Sequence, residues 1–367
     1  MIRIDEIYYN VFVKSMQDHK GVGLHWFDPF GSTNYNDMCN VPVINYSDAT
    51  HRVVFWDQEP ITKDRTNLFF DRFTNTFRKD LQYPITVVTS ESNSEYVKSL
   101  CDTYSIHSAY YFFHGWAALD WYRGYDKTFL ITPIRDRAPT KTFIAPNRII
   151  AGERKHRLEM LYHIFKNNLK DNHISCPAVC PAENISIVDA AEPLLDVYPD
   201  IQAVFAAQQL PINFENETDH PMHSCWLSLF DQAADSLLYL VTETVADGRR
   251  HHLTEKTFKP IALGMPFVLV GTQGSLEYLR SYGFKTFGHI WDESYDSIAD
   301  PHERIRAIAR LLKTLCDLSV EERIALFHLC RETIEHNWKH FYNGGFEEIL
   351  WDELQCMLKA MHAESRL

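Results

Sequence analysis

Short apolar runs, separated by polar loops and helix-length stretches, constrain this chain more than any other feature. In the first half they are VVFWD (Val53–Asp57), ITVVTS (Ile85–Ser90), AYYFF (Ala109–Phe113) and FLITP (Phe129–Pro133). Each is brief and rich in β-branched or aromatic residues, the pattern of a buried strand and not of a helix. Helical spacing lies between them, at Asn67–Arg78 and Ser94–Tyr104. Strand and helix in alternation predict an α/β layer with a mainly parallel sheet.

A second series starts near Thr142. TFIAPN reads as a strand and turn, and Glu153–Leu169 carries Leu158, Leu161, Ile164 and Leu169 at helical spacing. Strands are expected at Ser186–Val188, Leu237–Thr242 and Phe267–Val270. Thr254 is an N-cap candidate and Gly264 a stop, with Pro260 between them expected to shorten or kink the helix. Gly271–Ser275 turns into a helix ending at Gly283. Ser319 with Glu322 forms a capping box, and a closing helix spans Phe346–Met361. The expectation is an α/β fold of two Rossmann-like lobes, residues 1–140 and 141–345, followed by a terminal helix over 346–367 that packs back on them. Ligands of such folds bind at the carboxyl ends of the strands.

Charge narrows the function classes. Among 367 residues, 36 Lys and Arg stand against 49 Asp and Glu, a formal charge of −13. That balance opposes a protein that wraps a phosphate backbone with most of its surface. Positive charge concentrates instead in Arg148–Arg157 and Arg249–Lys259, which suits a small pocket for a diphosphate. No stretch reaches the ~18 apolar residues of a membrane span. The acidic N-terminal segment lacks a small-residue cleavage site, and eight scattered Cys read as reduced thiols. A cytoplasmic protein is expected, without a membrane span. His173, Cys176 and Cys180 have no second ligand pair at matching spacing, so buried or surface thiols are preferred to zinc.

The strongest local signal is HHLTEKTFKPIALG (His251–Gly264). A helix opening at Thr254–Glu255 offers backbone N–H groups and a positive dipole end, with Lys256 as a point charge and Lys259 three residues on. A diphosphate would suit that end, and the Glu255 carboxylate could accept two ribose hydroxyls. The competing reading is a capped surface helix with solvated charges.

Leu240–Gly264, LVTETVADGRRHHLTEKTFKPIALG, followed by MPFVLVG, resembles the donor-binding motif of fucosyltransferase-like glycosyltransferases, and in particular the glycosyltransferase-like proteins encoded by bacteriophages. The resemblance implies the two-lobed GT-B architecture. It also implies ribose binding by Glu255, diphosphate binding by Lys256, and a match of Glu243 to the upstream acidic position. FIAPNRIIAGERKHRLEMLYHIF (Phe143–Phe165) resembles the family segment that carries a phosphate-contacting Arg. Arg157 fits it best, with Arg148 and Arg154 as substitutes. RVVFWDQEP (Arg52–Pro60) resembles the N-lobe strand whose acidic loop supplies a general base, which implies Glu59, with Asp57 as competitor. The chain departs from the family at Glu243–Thr244, where Glu–Asn is usual.

Other readings stay open at this point. Asp57-Gln58-Glu59 could hold Mn or Mg as a D-x-D-like site, although the Lys and Arg set offers a metal-free way to neutralise the leaving diphosphate. His114 and Trp116 could line the acceptor side, as could Trp121 and Tyr122. Thr272–Ser275 could give backbone donors to the donor, while Asp292, Glu293 and Asp296 have no assigned role. The expected function is transfer of a sugar from a nucleotide diphosphate sugar, GDP- or UDP-linked, to a hydroxyl, with inversion and with no cofactor or metal. The acceptor would be a glycan, a lipid-linked sugar or a protein hydroxyl. A hydroxymethylated DNA base is the alternative acceptor, for which Arg65, Arg72, Arg78 and Lys79 fall at helical spacing; for a viral protein the compartment would be the host cytoplasm. A non-catalytic binding protein of the same fold is the alternative from a different class.

Overall fold

The computed structural model describes residues 22–27, 51–56, 59–62, 66–67, 84–123, 138–214 and 227–364. They form a mixed α/β protein with two parallel sheets and a helical C-terminal part. The chain divides into two compact units. The first comprises residues 1–128, 248–252 and 346–367, and the second 129–247 and 253–345. The first unit therefore includes a short segment, Gly248–His252, taken from the middle of the second.

In the first unit, β1 (Val22–Phe27), β2 (His51–Trp56), β3 (Ile85–Thr89) and β4 (His107–Tyr110) pair in that order, all parallel. Every residue of β2 and β3 is buried, which accounts for the apolar runs at their centres, although β2 opens with buried His51 and Arg52. Val54, Trp56, Ile85 and Val87 share a core with Val97 and Leu100 of helix α1 (Glu95–Tyr104). Ser94 caps α1, its side chain accepting from Val97 N.

The predicted strand Ala109–Phe113 is corrected. Pairing stops at Tyr110, and Phe113 opens helix α2 (Phe113–Arg123). This helix is buried nearly all round, so its sequence shows no polar face and cannot be told from a buried strand by period. The predicted strand Phe129–Pro133, and the predicted helix Asn67–Arg78 beyond its first residue, lie outside the described residues.

In the second unit, β5 (Lys141–Ala145), β6 (His173–Ile174), β9 (Ser236–Thr242) and β10 (Phe267–Val270) form a parallel sheet of order β10-β9-β5-β6. A small antiparallel pair, β7 (Val179–Cys180) and β8 (Ile185–Ser186), stands apart. The predicted strand Ser186–Val188 is thus wrong beyond Ser186. That residue's hydroxyl accepts from Asp189 N at 3.1 Å and starts a helical turn, Ile187–Ala190.

The longer helices of this unit are α3 (Lys155–Lys166), α4 (Glu255–Leu263), α5 (Ser275–Ser281), α6 (Pro301–Cys316) and α7 (Val320–Tyr342). Helix α4 continues through Pro260 to Leu263, and Gly264, at φ 65°, ends it in the left-handed conformation. The capping box at Ser319 and Glu322 is present at the start of α7.

The last helix, α8 (Gly345–Glu364), packs within the first unit. Phe346 meets Phe112 edge-on, and Trp351 lies 4.7 Å from Trp116. Arg123 pairs with Glu347 at 2.9 Å. The close approach requires Gly115, because a Cβ there would sit 2.9 Å from the Phe346 ring. Among the described residues, no helix is long and apolar enough to cross a membrane.

Candidate functional site

The second sheet reverses direction between β5 and β9. From β5 the chain moves outward to β6, then returns to place β9 on the other side of β5. Loops leaving the carboxyl ends of β5 and β9 therefore diverge, and in open α/β sheets the crevice they leave is the usual ligand site. Most of the donor-site candidates lie at this edge.

Glu243, one residue beyond β9, is fully buried and organises the edge from both of its polar groups. One carboxylate oxygen accepts from Thr254 N at 3.1 Å and from the Thr257 hydroxyl at 2.5 Å. The other accepts from the Thr254 hydroxyl at 2.6 Å and from Thr244 N at 3.2 Å. A carboxylate at the N-terminus of α4 also complements the helix dipole. The Thr254 side chain in turn accepts from Lys256 N, completing the cap.

On the other side, the Glu243 carbonyl accepts from His156 Nε2 at 2.8 Å and from Arg157 Nε and Nη2 at 3.2 and 2.9 Å. Arg157 Nη1 donates to the Ile149 carbonyl at 2.9 Å, so one guanidinium joins the loops after β5 and β9. The resemblance implies a phosphate contact for Arg157. The structure places its side chain as a buried brace for the backbone on which the helix start rests. Burial, with Arg157 beside it, depresses the His156 pKa to about 3, so this imidazole is neutral at physiological pH.

Glu255 and Lys256 stand at the opening of α4. Glu255 is buried, and Lys256 Nζ, partly exposed, pairs with its Oε1 at 2.7 Å. The same ammonium lies 3.4 Å from the Thr244 hydroxyl and 3.3 Å from that of Thr254. Lys256 is thus anchored over the helix end by two hydroxyls and a carboxylate. Lys259 is half-buried one turn on, and Arg148 is half-buried in the loop after β5.

Several residues of this edge carry no motif signal. Asn147 follows β5 by two positions; its Nδ2 donates to Ala145 O, and its Oδ1 accepts from Thr242 at 3.1 Å. Arg304 of α6 donates to the carbonyls of Ala246 and Gly271, tying the loops after β9 and β10 together. Asp296 takes Leu276 N and Glu277 N at 2.9 and 3.1 Å. The start of α5 is therefore capped by this side chain, and Gly274 N donates to the Asp296 carbonyl. Of the Thr272–Ser275 backbone donors, Gly274 N is thereby taken, and Asp296 gains a role the sequence left blank. Helical periodicity cannot signal such contacts, because they join residues far apart in the chain.

The candidates for the base and the acceptor side belong to the first unit. Glu59 is half-buried just after β2, and its carbonyl accepts from Trp56 Nε1 at 3.0 Å. Asp57, Arg65, Arg72, Arg78 and Lys79 lie outside the described residues. The acceptor-side candidates His114 and Trp116 sit in the first turn of α2, not at a strand end. Trp116 is 2 % exposed and packs in the core, and His114 meets the ring of His252 edge-on at 5.2 Å. His173 bonds Asp235 at 2.9 Å and the Cys180 thiol bonds Glu183, so these candidate zinc ligands each have other partners.

No family model and no curated protein matches the chain. Among solved structures it is similar to a trehalose-6-phosphate synthase studied for glycosyl transfer with retention. That match has 14% identity and a TM-score of 0.39, and covers 95% of this chain and 78% of the other. A second similarity, to the N-terminal domain of Candida albicans trehalose-6-phosphate phosphatase, has 13% identity and a TM-score of 0.38, and covers 95% and 73%. Both TM-scores fall below 0.5, so the functional reading rests on this chain's own residues.

Proposed function

We propose that the protein is a glycosyltransferase of the GT-B type that takes its sugar from a nucleotide diphosphate donor bound at the carboxyl edge of the second unit. The carrying observation is the coincidence of two independent features. The Thr-Glu-Lys element named by its resemblance to fucosyltransferases opens the helix that follows the switch-point strand β9. Its lysine and glutamate stand at the mouth of that edge, while Glu243 and Thr254 hold the helix start in place.

In this reading Lys256 faces the donor diphosphate, and Glu255 accepts the ribose hydroxyls when Lys256 turns toward the phosphates. Arg157 and Arg304 act as positioning residues that also lend fixed positive charge to the edge. The acceptor oxygen attacks the anomeric carbon, and the bond from that carbon to the diphosphate oxygen breaks. The electron pair leaves on the diphosphate, and the acceptor proton passes to the Glu59 carboxylate as base. A single displacement of this kind inverts the anomeric centre.

The deciding experiment is a thermal-shift screen of the full chain against GDP-, UDP- and dTDP-sugars, followed by a transfer assay with the donor that binds. A ligand confined to the native state raises the melting temperature. A shift with one nucleotide class, abolished by Lys256→Ala, supports the reading. No shift with any donor overturns it, and binding without transfer or hydrolysis leaves a non-catalytic nucleotide-sugar binder. Transfer only to hydroxymethylated DNA would identify the acceptor as a flipped base.

A further inference from the structure

A cavity of about 470 Å³ opens in the second unit, between the loop that follows α5 and the side of α7. Its floor residue Phe284 packs on Phe258, on the buried side of α4, at 5.7 Å. Helix α5 runs back from the carboxyl edge of the sheet, and Arg280, near its end, lines the cavity. Phe287, in the same loop, packs against Phe267, the first residue of β10, at 5.2 Å. The cavity therefore borders the amino end of the sheet, whereas Glu243 and Lys256 mark the carboxyl end.

Its lining combines positive charge, hydroxyls and one aromatic surface. Arg280, Lys285 and His289 supply the cationic and ring-nitrogen donors, Thr286 and Thr333 the hydroxyls, and Phe284 the apolar wall. Arg280 is oriented by Thr286, which accepts from Nη1 at 2.9 Å, and by Glu293 at 3.8 Å.

The loop is held rigidly from behind by α7. Asn337, buried, accepts from Lys285 N at 2.7 Å and donates to Lys285 O at 2.8 Å. His336 and His340 bond the carbonyls of Gly283 and Tyr282 at 2.8 and 2.7 Å. A backbone fixed at three successive places presents the Lys285 side chain with little ordering cost on binding. The bordering acid, Glu332, pairs with Lys285 at 3.2 Å, but its side chain is 88% exposed. An ion pair that open to water is weak and exchanges readily for a stronger anion.

We propose that this cavity is a second binding site, for a small phosphomonoester. The phosphate sits among Arg280, Lys285 and His289, and the organic body lies at the mouth beside Thr286 and Gly288, because Phe284, 2% exposed, forms only the floor. A guanidinium fork and an ammonium together suit phosphate oxygens, and the volume is that of a small-molecule site. A long polyanion would need an extended basic stripe, which a pocket bordered by Glu332 does not offer. The site is independent of the glycosyltransferase reading.

The test is isothermal titration calorimetry of the full chain with AMP and glucose 1-phosphate, alongside adenosine, glucose and inorganic phosphate. Three variants are titrated in parallel: Arg280→Gln/Lys285→Gln, Glu332→Gln and Lys256→Ala. At least one phosphomonoester is expected to bind, its dephosphorylated partner not to bind, and inorganic phosphate to bind at least tenfold more weakly. The double variant should weaken binding at least tenfold, Glu332→Gln should strengthen it, and Lys256→Ala should leave it unchanged. Both side chains of the double variant are exposed, and its circular dichroism and melting curve check that the fold persists. Absence of binding overturns the proposal, as does binding lost in Lys256→Ala and retained in the double variant, since that places the ligand at the donor edge. Equal affinity for inorganic phosphate overturns recognition of the organic body.

Discussion

Glu243 holds Thr254 by both of its donors: one carboxylate oxygen takes the backbone N–H at 3.1 Å and the other the hydroxyl at 2.6 Å. The residue just past the switch-point strand therefore fixes where the Thr-Glu-Lys helix begins. Its carbonyl, pointing the other way, is held by His156 and Arg157. A bound diphosphate would meet a helix start whose cap is already supplied by the protein, so Lys256 and Glu255 would do the recognising.

Glu243→Gln tests that arrangement. The amide can keep one accepting oxygen, but its NH₂ must then face a backbone N–H, either Thr244 N or Thr254 N. Losing a hydrogen bond to a charged group and leaving a buried donor unmatched should cost about 2 kcal/mol. Urea unfolding would show a lower midpoint, and donor affinity would fall with it. An unchanged midpoint would show that the cap carries no stability.

Part of this was legible in the sequence, and the physical reason differs by element. The strands β2, β3, β5, β9 and β10 announce themselves because burial on both faces demands apolar-rich cores such as VVFW, FIA and FVLV. The ends of α4 are readable because Thr254 and Gly264 are local devices. The contacts that build the edge are not local. Asp296 caps a helix 20 residues earlier, and Arg250 reaches Glu91 across 159 positions. No periodicity encodes such pairs, and none announces that Gly248–His252 joins the first unit.

Lys256→Ala should leave the fold in place, because the ammonium is partly exposed, with a modest loss of stability as the largely buried Glu255 loses its ion-pair partner. Donor affinity should fall at least tenfold in the thermal-shift assay. Glu59→Gln should instead preserve donor affinity and lower the transfer rate by about 10²-fold or more, the usual contribution of a general base. A full transfer rate in Glu59→Gln removes it as the base.

The Arg250–Glu91 pair offers a test confined to the first unit. Both side chains are buried, 3.2 Å apart, and Arg250 also covers the Tyr96 ring at 4.4 Å. Glu91 further accepts from Ile61 N and the Ser94 hydroxyl, each at 2.6 Å. Arg250→Met leaves a buried carboxylate without its counter-charge and should cost about 3–5 kcal/mol at pH 7. Burial raises the Glu91 pKa above 4.5 even with Arg250 present. The charge part of the variant's penalty should therefore vanish below pH 4.5 and grow as pH rises through the folded-state value. The loss of the Ile61 carbonyl bond and the Tyr96 contact is independent of pH and remains. Adding Glu91→Met should recover most of it at neutral pH; a double variant as unstable as the single one would refute the pair's coupling.

His156 sets an acid limit on the second unit. Its folded pKa is held near 3 by burial and by Arg157, against 6.5 for the free side chain. A depressed histidine contributes stability at neutral pH that is lost as pH falls, because only the unfolded state takes up the proton. The window opens near 6.5 and closes near 3. His156→Gln keeps an N–H donor for the Glu243 carbonyl, which His156 bonds at 2.8 Å, and removes the titration. Between pH 6 and pH 4 the wild type should lose about 1.4 kcal/mol per pH unit more than the variant, one proton's worth. Parallel stability curves across that range would mean that His156 is not held neutral, and with it the reading of His156 as an uncharged donor to the Glu243 carbonyl would fail.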